Sequence, residues 1–263
     1  MLRLTSCQAD NALSVCRALA DYVAHALGLA AEFVEDVPWQ ERQRQLFHGH
    51  IAAGWICGLP YVWQADGGDP TVELLAAPVM AGARYQQRPI YYSDVVVRRD
   101  SPFHTFADLR GATWAYNEPD SHSGCHLVHY HLATLGEAFG FFSRVVESGA
   151  HQTSLRMVLA RQADASAIDS TVLETELRGA PGLAGQVRVI ATLGPSPAPP
   201  WVVSKRVPEH QRAALRHAFL RMQDDPRGRA VLEEGRLSRF VAVEDREYDP
   251  IRRMARLATR VRL

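Results

Sequence analysis

Glu118-Pro119-Asp120-Ser121-His122-Ser123-Gly124 joins an apolar, strand-like run at 112–116 to a helical stretch from about 123 to 135. A hydroxyl-rich turn with a glycine at a strand-to-helix junction is a mark of the α/β plan. It also sets side-chain oxygens beside the unpaired N–H groups and partial positive charge of a helix start. Two uses follow from that chemistry. Ser121 or Ser123 caps the helix, or the hydroxyls and N–H groups together wrap a phosphate-like anion.

The same alternation continues outward from the turn. Toward the N-terminus, residues 2–5 read as a strand. Asp10 or Asn11 can cap a helix whose apolar positions Leu13, Cys16, Leu19, Val23 and Leu27 repeat at helical spacing and stop at Gly28. A strand at 32–36, a helix from Pro38 to near Gly49 and a strand at 51–56 complete a β-α-β-α-β series. Strands at 72–79 and 89–98 follow, and the second, with its polar middle Tyr91-Tyr92-Ser93, is long enough to run between two lobes.

Beyond the turn the pattern restarts with a strand at 142–147, a helix at 153–161, a small-residue strand at 163–168 and a helix at 171–177. A further strand at 187–192 leads into a proline-rich connector, Gly194-Pro195-Ser196-Pro197-Ala198-Pro199-Pro200, and then Trp201-Val202-Val203. The remaining third reads as helical, at 209–222, 226–234 and 250–261. The expected architecture is α/β with two lobes, 1–90 together with 195–263 and 91–194 carrying the serine turn. The ligand cleft is expected between them, the usual place for a small-molecule site.

Composition narrows the function. In 263 residues, 29 basic side chains balance 29 acidic ones, which argues against a nucleic-acid or membrane-surface footprint. Cys7, Cys16, Cys57 and Cys125 form no CxxC pair and read as reduced, buried side chains. No run reaches the roughly 18 apolar residues of a membrane span, so no direct membrane insertion is expected. The first residues also lack the charged, apolar and small-residue order of a signal peptide.

Several separated segments, in order, resemble the phosphonate, phosphite and phosphate-binding proteins of ABC importers, a branch of the type II periplasmic binding proteins. They are Tyr91-Tyr92-Ser93-Asp94-Val95-Val96-Val97, Ser101-Pro102-Phe103 with Asp108-Leu109-Arg110-Gly111, the turn Asp120-Ser121-His122-Ser123-Gly124, Ser148-Gly149-Ala150-His151, and Ala163-Asp164-Ala165-Ser166-Ala167-Ile168-Asp169. The resemblance covers roughly 85–205 well and the first 80 residues more loosely.

It implies a substrate-binding protein that performs no catalysis and needs no cofactor or metal. Ser121, His122 and Ser123, with the N–H groups of Ser123 and Gly124, would hold the oxyanion, and His151 would donate to another ligand oxygen. Asp169 would accept a proton from a ligand O–H or pair with a ligand amine. Tyr61 and one of Tyr91 or Tyr92, Tyr91 being favoured, would close the site. For His151 the structural alternative is a capping or core histidine, and for Asp169 a cap on the helix that follows.

The implied partners are a small oxyanion and an ABC permease, with no nucleic acid, and the chain is expected to be a monomer. A periplasmic location is implied too, while the missing leader leaves a cytoplasmic one open. Two positions depart from the family pattern: His122 stands where relatives commonly carry a hydroxyl, and Ala52 where many carry an aspartate. A histidine in the turn predicts affinity that weakens as pH rises through its pKa.

Competing readings rest on the histidines. His122, His126 and His129 could share a helix face as metal ligands, but no carboxylate accompanies them at ligand spacing. Cys125 and His126, as adjacent helix residues, diverge too far to form a nucleophile pair, although His129 could reach the thiol. An enzyme on the same architecture, either a pyrimidine-precursor synthase or a metal-assisted hydrolase, and a cytosolic ligand sensor are the alternative functions.

Overall fold

Parallel strands can be joined only by crossovers, and the amphipathic segments of the first third supply them. The computed structural model describes residues 1–261 and divides into two units, Met1–Ile90 with Pro197–Asp249, and Tyr91–Ser196 with the chain from Pro250 onward. In the first unit β1 (Leu2–Ser6), α1 (Leu13–Leu27), β2 (Ala31–Val34), α2 (Trp39–Phe47) and β3 (Ala53–Trp55) follow the expected series. Gly28, at φ +64°, ends α1 in the left-handed conformation that a side chain would resist. Next come α3 (Gly58–Asp66) and β4 (Val72–Met80). The sequence reading left α3 out because Pro60 and flanking glycines signal a turn, yet proline is well tolerated in a first helical turn.

The second unit holds β5 (Ile90–Arg98), β6 (Thr113–Tyr116), α4 (Leu127–Thr134), β7 (Arg144–Glu147), α5 (His151–Leu159), β8 (Ala165–Asp169), α6 (Ser170–Gly179) and β9 (Val187–Pro197). Its sheet order is β7-β6-β8-β5-β9, with β8 parallel to β6 and antiparallel to β5. Every residue of β8 is buried, which explains its small side chains. Trp114 stacks on Phe142 with centroids 4.6 Å apart and, with Phe106, Val95, Val97, Leu127 and Leu132, fills the core beneath α4.

The chain then returns through β10 (Trp201–Ser204), α7 (Glu209–Leu220), α8 (Pro226–Glu234) and β11 (Leu237–Val241), and ends in α9 (Asp249–Ala258). The first unit's sheet order is β11-β4-β10-β3-β1-β2, with β10 antiparallel to both of its neighbours. Fully buried Trp201 packs on Phe219 of α7 at 5.0 Å.

Three features differ from the sequence expectation. The first half of the proline-rich connector is strand, because β9 continues to Pro197. β11 was hidden in a third read as all helical, since Leu237-Ser238-Arg239-Phe240-Val241 is short and has only one clear alternation. Residues from Pro250 onward group with the second unit and not the first, because Val261 and Met254 pack into the Trp114 core. Backbone packs closely at Gly228 in α8: a Cβ there would lie 2.0 Å from the Met222 carbonyl oxygen. Gly228→Ala should therefore destabilise the protein by about 1–3 kcal/mol, read from urea unfolding.

Candidate functional site

β6 ends three residues before Pro119, and the turn that follows folds around Ser121. Ser121 takes an extended conformation as N-cap, and its Oγ accepts a hydrogen bond from the Gly124 N–H at 3.1 Å. The N–H groups of Cys125 and His126 both reach the Ser121 carbonyl, at 3.2 and 3.0 Å. The bond to His126 spans five residues, so His122–His126 forms a single π turn before α4 begins. A π turn is wider than an α turn and recurs at functional sites. As the first residues of the turn, His122 and Ser123 have N–H groups with no acceptor inside the helix.

Capping and anion binding are compatible here, because a Ser121 hydroxyl that accepts from Gly124 still has its own O–H to donate. Around the turn, Ser93 of β5 donates to the Ser123 carbonyl at 2.8 Å, and Ser123 Oγ shares a hydrogen bond with His151 Nε2 at 3.1 Å. His151 is the first residue of α5 and is 8% exposed. Gly124 is required sterically, since a Cβ there would lie 1.8 Å from Asn117 Oδ1 and 3.1 Å from His151 Cε1. Sequence reasoning passed over Asn117. Its only signal was a polar residue two places after buried Ala115, on the same face of the strand.

His122 is fully buried, with Nε2 3.0 Å from Ser196 Oγ and the Tyr91 ring 6.5 Å away. Ser196 Oγ lies 3.8 Å from Met254 Sδ on α9. Burial, with His126 nearby, pushes the His122 imidazole down to about 3, so it is neutral and the expected titration near neutral pH is lost. Burial likewise takes His151 down to about 4.

Asp169 pairs across the sheet with Ser93 and caps α6, its Oδ1 accepting from the Thr171 N–H at 2.8 Å and hydroxyl at 2.7 Å. Burial outweighs those bonds and raises its carboxyl to about 6, with Asp94 adding to the rise. Asp94, also buried, accepts from Thr192 Oγ1 at 2.8 Å.

The second unit thus gathers Ser121, His122, Ser123, Gly124 and His151 around one turn, with Tyr91 against His122 and Asp169 two strands away from β9. Tyr92 is half-buried and its N–H donates to Ser170 Oγ at 3.1 Å. Tyr61 lies in the first unit, where its O–H donates to Asp245 Oδ1 at 2.8 Å and its ring meets Tyr248 edge-on. Among the described residues no group of three or more His, Cys, Asp or Glu side chains is placed to hold a metal ion. Burial pushes the Cys125 thiol up to about 12, far from a reactive thiolate.

Comparison with known proteins bears on the family and the fold. The chain is 28% identical over 172 residues to the phosphonates-binding periplasmic protein of Escherichia coli (strain K12), a stretch that makes up 64% of this chain and about half (51%) of that relative. Its fold matches the binding component of an ABC phosphonate transporter from Pseudomonas aeruginosa at a TM-score of 0.84 and 19% identity, covering 98% of this chain and 86% of that one. It also matches PhnD1 from Prochlorococcus marinus, solved with methylphosphonate, at a TM-score of 0.84 and 17% identity, covering 99% and 98%. Both are two-lobed periplasmic binding proteins, and the fold is theirs. The profile described as "ABC transporter, phosphonate, periplasmic substrate-binding protein" matches residues 4–248, and the chain belongs to that family.

Proposed function

We propose that this chain is the substrate-binding component of an ABC importer and that it captures a phosphonate, phosphite or phosphate-like oxyanion without transforming it. The observation that carries the reading is the π turn at Ser121 to Gly124, which combines free helix-start N–H groups with two serine hydroxyls and sets them against His151. Such a turn offers several neutral donors to one anion, and partial burial strengthens each bond.

In this reading Ser121, Ser123 and the backbone of the turn hold the oxyanion. His151, neutral, presents its ring nitrogen through Ser123, Asp169 is placed to pair with an amine on the ligand, and Tyr91 walls the site beside His122. The Tyr61 hydroxyl already donates to Asp245 and takes no part in the proposal. An ABC permease is the proposed protein partner.

Calorimetry with methylphosphonate, phosphite, phosphate and sulfate tests the function. Micromolar or tighter binding by at least one phosphorus oxyanion, with sulfate weaker, is the expected outcome. Failure of all four to bind would overturn it.

A further inference from the structure

Acceptors crowd this turn. Asp169 is a buried carboxylate with Asp94 on the adjacent strand, His122 and His151 are neutral, and among the described residues no arginine or lysine acts on Asp169 or either histidine. A doubly charged anion brought here would meet the Asp169 carboxylate with no positive charge among the described residues to offset it.

Asn117 adds a further acceptor. It is 8% exposed, and its Oδ1 is buried with no hydrogen-bond donor. The oxygen is aimed at the turn, on the side of Gly124 where a Cβ would fall 1.8 Å away, with the His151 ring against the same glycine. His122 Nδ1 is similarly buried without a partner. Buried acceptors left unpaired are costly, and a ligand that brings a donor recovers that cost.

We propose that Asn117 is a ligand-binding residue whose carboxamide oxygen accepts a hydrogen bond from the O–H of a singly protonated phosphonate, so that the protein takes the monoanion and rejects the dianion. This rests on the oxyanion reading of the same turn. Phosphite and phosphate monoesters, which also carry one P–OH as monoanions, fall in the same chemical class. Anions without an O–H, sulfate among them, fall outside it.

The titratable groups packed around the turn are His122, Cys125 and His126 within it, His151 from α5 and Asp169 from β8, with Asp120 and Glu147 acting on Cys125 and Asp94 acting on Asp169. With His122 near 3, His151 near 4, Asp169 near 6 and Cys125 near 12, pH changes from about 7 to 9 titrate the ligand and leave these four groups unchanged. The second ionisation of methylphosphonate falls in that range.

The test is calorimetry with methylphosphonate across those pH values, on the native chain and on Asn117→Val. Native affinity should fall about tenfold per pH unit once the second ionisation is passed. Asn117→Val should bind about tenfold more weakly at the low end and show a smaller gap from the native chain at the high end, as expected for one lost hydrogen bond to a protonated ligand. Native affinity that stays level or rises with pH would overturn the proposal, and so would a folded variant within twofold of the native chain at the low end. If the variant does not fold, as judged by circular dichroism, Asn117→Ala takes its place with the same two outcomes. Absence of binding by methylphosphonate, phosphite and phosphate alike would instead refute the oxyanion reading itself, and this proposal with it.

Discussion

Replacing Gly124 by alanine is expected to lower oxyanion affinity at least about a hundredfold and to destabilise the protein by about 1–3 kcal/mol. The methyl group would be built 1.8 Å from Asn117 Oδ1, far inside contact distance, and 3.1 Å from His151 Cε1. Asn117 follows β6 directly and is 8% exposed, so its carboxamide has little room to swing aside, and His151 is held to Ser123 at the start of α5. The turn must therefore open.

Opening it breaks the bond from the Gly124 N–H to Ser121 and re-aims the hydroxyls and N–H groups that would converge on a ligand. Calorimetry reads the affinity and urea unfolding the stability. Steric origin has its own signature: in the double variant Asn117→Ala with Gly124→Ala, the stability loss should be smaller than the sum of the two single losses, since the shorter side chain clears space for the methyl. A Gly124→Ala protein that binds methylphosphonate with native affinity would remove the turn from the site.

How much of this was legible in the sequence depends on the range of the interactions involved. Helical spacing of Leu13, Cys16, Leu19, Val23 and Leu27 and the helix stop at Gly28 are local signals, and α1 follows them closely. The strand-to-helix turn was legible for the same reason, because hydroxyls, a glycine and a flanking apolar strand are adjacent in the chain. β11 was not legible, as it is a strand only because β4 offers it an antiparallel edge. Nor was the placement of the last helix, which depends on where Met254 and Val261 find apolar company.

The grouping of Ser121 to Gly124 in one turn at a helix start was legible, and its electrostatics were not. His122 read as a titrating group because nothing in its sequence neighbours says that Tyr91 and Ser196, 31 and 74 positions away, enclose it. Asn117 had only the weak local signal of a polar residue two places after Ala115, since its contact with Gly124 lies across the turn.

Acid should unfold this protein through its buried histidines. In the unfolded chain a histidine protonates near 6.5, whereas burial keeps His122 near 3 and His151 near 4 in the fold. Between those values the unfolded state binds more protons, so stability falls as pH falls, and each ring contributes a loss of about 2 kcal/mol between pH 7 and 5. Asp169 acts in the opposite sense. Its folded carboxyl, raised to about 6 from an ordinary 3.8, takes up a proton first in the native state and returns about 1 kcal/mol over the same interval. The two histidines outweigh the one carboxyl, and the partly buried His126, His129 and His131, also lowered by burial, add in the same direction, so a net loss of at least about 2 kcal/mol by pH 5 is the expected result in urea unfolding followed by circular dichroism. His122→Gln, which keeps a hydrogen-bonding side chain beside Ser196 but cannot protonate there, should lower stability at pH 7 while reducing the acid-induced loss by about 2 kcal/mol. If His122→Gln loses as much stability between pH 7 and 5 as the native chain, then His122 is not held neutral by burial, and a protonated histidine would return to the oxyanion turn as a source of pH-dependent affinity.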